Sequence, residues 1–249
     1  MGPAILAAAL LRVPRVIMEQ NVLPGLTVRA LARFAHCVFT AFPETQTYLA
    51  GRRVECTGTP IRQDMCMSEG FEPTKPDALL HVLVFGGSQG AHRVNQAMVE
   101  ALPLLQEQQM SVRIVHQTGA ADFKAVAQAY QRAGVDAEVQ PFLYDMAARY
   151  RWAHLVVCRA GASTLAELTA YGKPAILVPY PYAANDHQRH NALALQREGA
   201  AQVILDADLT GSRLATALQE ILSRPEDLTR QAVHSRRLGK PQATDAIVT

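Results

Sequence analysis

The sequence predicts an α/β fold with doubly wound, mostly parallel sheets, arranged as two Rossmann-like units of which the first is incomplete. Residues 79–205 hold about six short apolar runs, each followed by a helical pattern or a polar loop, which is the alternation of a parallel sheet with crossover helices. Residues 1–64 supply three more such runs, too few for a second unit of the same kind. Between them, residues 67–78 lose periodicity and gather proline and charge, as a linker does. The expected divisions are a partial N-terminal unit at 1–66, the linker at 67–78, a C-terminal unit at 79–240 and a tail at 241–249.

Composition narrows the function. A hydrophobic content of 49% is ample for a core, and a net charge of +2 with 6% aromatics argues against a nucleic-acid surface. Cys37, Cys56, Cys66 and Cys158 show neither CxxC pairing nor metal-ligand spacing, which fits a reduced compartment better than a disulfide framework or a zinc site. Cys158 ends a buried-looking strand and reads as core. No run reaches the roughly 18–20 apolar residues of a membrane-spanning helix. The apolar opening is broken by Arg12, Pro14 and Arg15 and lacks a preceding basic stretch, so it does not read as a signal peptide.

Taken in order, residues 3–12 read as a core helix and 15–18 as a strand ending in the polar cluster Glu19, Gln20, Asn21. A helix at 26–35, a strand at 36–42 and a strand from 54 running into Gly58–Arg62 complete the first unit. Arg62 either reaches a phosphate or is merely solvated. The second unit opens with a strand at 79–85, the turn Gly86-Gly87-Ser88-Gln89-Gly90-Ala91 and a helix at 94–105. Glycines bring a backbone close to a ligand and a helix start supplies N–H groups, so this is either a phosphate cradle or a packing turn. It matches neither GxGxxG nor GxxxxGK[ST], which excludes the nicotinamide and P-loop readings. A strand at 111–119 follows, in which His116 reads as structural, then a helix at 122–134, a strand at 137–143 and a short helix at 144–153.

The stretch 155–192 is the richest in chemistry. An apolar strand at 155–158 leads into the small-residue turn Arg159–Thr164, where Gly161 and Ala162 let a ligand approach and Ser163 or Thr164 can cap a helix at 164–172. Leu165 and Leu168 face the core, and Glu167 sits one turn in. Glu167 is either a ligand for a diol or a first-turn acid complementing the helix dipole, and the residues alone leave both open. After a strand at 175–180, residues 183–192 crowd Asn185, Asp186, His187, Gln188, Arg189, His190 and Asn191 into one loop, suited to hydroxyl recognition or else simply solvated ahead of a helix at 191–199. A strand at 200–205 follows. Asp206-Ala207-Asp208 formally matches a DxD metal motif, but the start of a helix near Thr210 explains it better. The tail from 230 is polar, basic and weakly helical.

The ordered motifs E-Q-N, G-T-P-I-R, G-G-S-Q-G-A, C-R-A-G-A-S-T-L-A-E, G-K-P-A-I-L-V-P-Y and D-H-Q-R-H-N-A resemble the MurG family over essentially the whole chain. The resemblance implies a glycosyltransferase B fold and inverting transfer of GlcNAc from UDP-GlcNAc to the MurNAc C4 hydroxyl of undecaprenyl-pyrophosphoryl-MurNAc-pentapeptide (lipid I to lipid II), in peptidoglycan synthesis. It implies that Glu167 holds the ribose hydroxyls, that Ala162, Ser163, Thr164, Leu165 and Ala166 surround uridine and diphosphate, and that Ser88 meets phosphate. Leu143 would belong to the uracil pocket, Gln188 would hold a GlcNAc hydroxyl, and Asn21 and Arg62 would be cleft contacts. Gly86, Gly87, Gln89, Gly161, Asp186 and Asn191 are further candidates beside them. No metal and no cofactor beyond the donor is expected. The partners would be UDP-GlcNAc, lipid I and the cytoplasmic face of the inner membrane, met peripherally. Where some members carry a second amide next to Gln188, this chain has His187 and Arg189. The family's G-G-T-G-G-H loop, whose His is the favoured general base, has no counterpart, so no catalytic residue is assigned. The expectation is a chain lacking roughly the first third of the enzyme, with an open sheet edge and exposed apolar surface. A UDP-sugar-binding remnant and a 2-epimerase-like enzyme are the alternatives.

Overall fold

The structure is a computed structural model that describes residues 2–65, 71, 73, 79–87 and 89–248. Ser88, Cys66 and most of the 67–78 linker fall outside the described residues.

The first unit comprises α1 (Gly2–Leu10), β1 (Val16–Glu19), α2 (Leu26–Leu31), β2 (Cys37–Thr40) and β3 (Val54–Cys56), with the strands parallel in the order β1-β2-β3. A 3-10 segment over Pro43–Leu49 fills a stretch the sequence left unassigned. The core is small: Ile17, Val28, Leu31, Val38 and Leu49. The helix expected at 3–12 forms, but it is not a core helix, because α1 has no buried residue. Its main contacts are with α2 and the 3-10 turn that extends α2, and Ile5 packs on the edge of this small core without being buried. Leu10 and Leu11 are 86% and 76% exposed, and β1 pairs on one side only. An open edge beside apolar surface is what the sequence anticipates for this unit.

The second unit runs β4 (Leu80–Phe85), α3 (His92–Glu107), β5 (Val112–Gln117), α4 (Phe123–Ala133), β6 (Ala137–Gln140), α5 (Met146–Trp152), β7 (Leu155–Cys158), α6 (Ala162–Ala170), β8 (Ala175–Leu177), α7 (His187–Arg197), β9 (Ala201–Val203), α8 (Gly211–Ser223) and α9 (Pro225–Leu238). All six strands are parallel, in the order β6-β5-β4-β7-β8-β9. Both faces are covered, which is why the strands read as continuous apolar runs. Leu80, Val82 and Val84 point into the layer that includes α3, α4 and α8. Leu83 and Phe85 point to the other side, with residues of α5, α6 and α7. Cys158 lies in that second layer, fully buried, and burial pushes its thiol pKa up, so it is core.

Three helices begin earlier than the sequence suggests: α3 at His92, α6 at Ala162 and α7 at His187. Their first turns carry small or polar residues that bury little apolar surface, so they add nothing to the periodicity that marks a helix. The expected polar loop at 183–192 is therefore a short 3-10 turn (Ala184–Asp186) followed by the first turns of α7.

Beside apolar packing of Phe42, Ile61 and Met65 on the second unit, two arrangements among the described residues tie the units together. Glu19, only 5% exposed, accepts hydrogen bonds from the Asn21 backbone and side-chain amides and from Gly25 N–H. Asn21 Oδ1 then accepts from Asn191 Nδ2 at 3.0 Å, and Asn191 Oδ1 accepts from Val22 N–H at 3.0 Å. At the other arrangement, the chain leaves α9 through Gly239 and returns to the first unit. Lys240 packs on Gly58, where a Cβ would lie 2.4 Å from the Lys240 Cβ. The final helix, α10 (Ala243–Val248), follows from there.

Asn191→Ala leaves the buried Val22 N–H without a partner and is expected to cost about 1–3 kcal/mol. Equilibrium unfolding in urea checks this, and an unchanged midpoint would show that the joint carries no stability.

Candidate active site

The strand order reverses between β4 and β7, so the crevice outside their carboxyl ends is where an open α/β sheet binds its ligand. Two helix starts meet there. Beyond β4, the glycine turn folds too tightly for side chains: a Cβ on Gly86 would lie 2.2 Å from the Ala91 Cβ. Gly90, at φ +79°, would carry a Cβ 2.0 Å from Thr118 O. The turn is thereby seated directly on the β5–α4 connection. It opens into α3, whose N-cap Ala91 offers no side-chain hydrogen bond. Beyond β7, Gly161 is the extended N-cap of α6, again without a side-chain cap.

The expectation that Ser163 or Thr164 caps α6 is corrected. They are its second and third residues, because Gly161 already takes the non-helical cap conformation. The hydroxyls of Ser163 and Thr164 accordingly make no hydrogen bond to a described residue. Two adjacent helix starts with unpaired N–H groups make an anion site with no basic side chain required.

Glu167 is the sixth residue of α6, so the first-turn dipole reading is removed. Its Oε2 accepts from the Tyr150 hydroxyl at 3.0 Å. Tyr150 is fully buried, stacks on Tyr171 at 5.2 Å and meets Phe85 edge-on. Burial raises the Glu167 pKa, and the Tyr150 hydrogen bond and the Arg62 charge pull it back. Asp64, which pairs with Arg62 at 3.4 Å, pushes it up again. Arg62 of the first unit and Glu167 of the second thus share one electrostatic environment.

Gln188 is half-buried, and its Oε1 accepts from Ala160 N–H at 3.2 Å and Tyr180 N–H at 3.0 Å. Two backbone donors fix the amide's orientation, so only its Nε2 donors remain for a ligand. Leu143 donates its N–H to Gln117 Oε1, and its side chain lies in the core. Asp186 is a left-handed N-cap of α7 that pairs with Arg189 at 3.5 Å. Asn191 is corrected from a ligand candidate to part of the joint, since it is fully buried with both ends of its amide engaged. Asn21 reaches the same joint. A cavity of about 390 Å³ at the domain junction includes Ala162, Leu165, Ala166, Phe42 and Leu238 in its lining, but neither Glu167 nor Gln188.

Three groupings rest on contacts that the spacing of residues in the sequence does not reveal. Tyr150 orients Glu167, and Gln117 links the glycine turn to Leu143. Asp206 pairs with Arg159 at 2.5 Å, both mostly buried, rather than serving the start of α8, which Thr210 caps. Among the described residues, no group of three His, Cys, Asp or Glu side chains could hold a metal ion. Behind the glycine turn, His116 Nε2 meets Asn95 Oδ1 at 3.0 Å and Nδ1 meets the Tyr130 hydroxyl at 3.1 Å. Asn95 also donates to Thr118 O and to Asp122. His116 is structural, as expected, and burial pushes its pKa down to about 3.

The glycosyltransferase family 28 C-terminal domain matches residues 81–247, and the family 28 N-terminal domain matches residues 1–40. The crystal structure of Acinetobacter baumannii MurG superposes with a TM-score of 0.84 at 34% identity, covering 99% of this chain and 69% of that one. The chain belongs to the MurG family. Among curated MurG-family relatives, the UDP-N-acetylglucosamine–N-acetylmuramyl-(pentapeptide) pyrophosphoryl-undecaprenol N-acetylglucosamine transferase of Anaeromyxobacter sp. (strain Fw109-5) is 48% identical over 99% of this chain and 64% of its own length. The protein of the same name from Geobacter sulfurreducens is 44% identical over 99% and 68%. This MurG-family chain therefore spans about two thirds of the length of these relatives.

Tyr150→Phe removes a hydrogen bond that favours the Glu167 carboxylate, so the Glu167 pKa is expected to rise further. A 13C-carboxyl NMR titration reads it directly, and a downward shift would contradict the geometry. For His116, the unfolded chain takes up a proton below about pH 6.5 that the native state refuses until about 3, so stability is lost as pH falls through that window. His116→Gln is expected to flatten the acid limb between pH 6.5 and 4 in guanidinium unfolding, and an equally steep limb would refute the assignment.

Proposed function

We propose that this chain forms the donor-binding body of an inverting N-acetylglucosaminyltransferase that takes UDP-N-acetylglucosamine and acts on undecaprenyl-pyrophosphoryl-MurNAc-pentapeptide. The observation that carries the reading is the pair of open helix starts at the β4/β7 switch point with the Tyr150-held Glu167 beside them. The diphosphate lies against the starts of α3 and α6 and the glycine turn. The second carboxylate oxygen of Glu167 accepts from the ribose hydroxyls, and the Leu143 carbonyl faces uracil. Gln188 contributes its Nε2, so it meets a sugar hydroxyl as a donor.

In this reading the acceptor C4 hydroxyl attacks the anomeric carbon from the face opposite the departing UDP. The new glycosidic bond forms as the bond to phosphate breaks, and configuration inverts. The negative charge that collects on UDP is met by the unpaired N–H groups, already in position before the reaction, which is electrostatic stabilisation of the leaving group. A base removes the acceptor proton, and the reading assigns it to no residue of this chain. No cofactor beyond the donor takes part. The site would work at the cytoplasmic face of the inner membrane. The reading takes that contact as peripheral, and no helix among the described residues is long and apolar enough to cross a membrane. The unpaired edge of β1 and the bare α1 favour a second reading, donor binding without transfer.

Glu167→Ala is expected to weaken UDP binding about tenfold or more, the loss of charge-assisted hydrogen bonds. Titration calorimetry at pH 7.5 measures it, and an unchanged affinity would sink the ribose assignment. Transfer of radiolabelled GlcNAc to a lipid I analogue separates the first reading from the second.

A further inference from the structure

Gln117 ends β5 with 4% of its surface exposed, and neither backbone group it touches lies on its own strand. Its Nε2 donates to Gly87 O at 2.8 Å, in the glycine turn. Its Oε1 accepts from Leu143 N–H at 2.9 Å, in the connection after β6. A carbonyl on one side and an N–H on the other fix the amide in one orientation. Among the described residues, this is the one side-chain hydrogen bond made to the turn.

We infer that Gln117 is a positioning residue that couples the phosphate-binding turn to the base-binding loop, an inference that rests on the donor-site reading above. The Gly87 carbonyl, an electron-rich oxygen of the turn, is thereby engaged by the Gln117 amide and tied to the end of β5. The same amide sets the position of Leu143, so the spacing between the phosphate and base subsites is fixed by one side chain.

The test compares uridine and UDP binding by calorimetry in the wild-type chain, Gln117→Ala and the volume-conserving Gln117→Met, with hydrogen exchange measured on the same proteins. The ratio of uridine Kd to UDP Kd, which reports what the phosphates add, is expected to fall about tenfold in both variants. Exchange in 86–91 and in 141–144 is expected to quicken together. Equal weakening of both ligands, as a general loss of stability would give, overturns the inference, as does no weakening. If the wild-type chain binds neither ligand, the donor-site reading fails. The coupling is then decided by exchange alone, and quickening in one loop without the other refutes it.

Discussion

Backbone N–H groups at a helix start have no partner inside their own helix, and everything at this site follows from leaving two such sets open. The order of the six-stranded sheet aims the starts of α3 and α6 at one crevice. A capping hydroxyl on either helix would have spent the donors that make the crevice attractive to an anion. Glycine lets the first turn pack this tightly: a Cβ at Gly86 or Gly90 would strike the turn itself or the β5–α4 connection. Of the polar groups around the crevice, Glu167 and Gln188 each use one end of their functional group to hold the scaffold, and Gln117 uses both. In the proposed reading the other end of Glu167 and of Gln188 is left for a ligand.

Much of this was readable in the chain. The strand–helix alternation and the six motifs in order lead to the sheet and to the family. Glu167 stands out because an acid follows a small-residue turn. Leu165 and Leu168 fall at core spacing and are buried. Other features depend on contacts remote in sequence. Tyr150 looks like one more aromatic on a short helix until its hydroxyl is seen against a residue 17 positions on. Asp206 resembles a metal motif or a helix cap because its partner Arg159 lies 47 positions earlier. Asn191 sits among hydroxyl-recognising residues in the sequence, yet its partner is 170 positions away. Polar residues are the hardest to place from sequence because one amide can serve a ligand or the fold, and only three-dimensional neighbours decide which.

Burial and polarity combine differently in the two units. The second has two covered sheet faces, each with its own buried layer, so apolar packing on both sides backs the hydrogen-bond ladder of its strands. The first has a handful of buried side chains and an unpaired strand edge, and relies more on polar contacts. The buried Glu19 carboxylate organises the chain after β1 so that Asn21 faces Asn191. A charge that costs desolvation in a thin unit is thus offset by three N–H donors and made useful at the junction.

The passage of the chain back to the first unit at Gly239 and Lys240 has a mechanical meaning. The units are connected covalently twice, once between residues 65 and 79 and again just after α9. A chain that crosses twice restrains the first unit at two places, and the close packing of Lys240 on Gly58 adds a contact beside the second crossing.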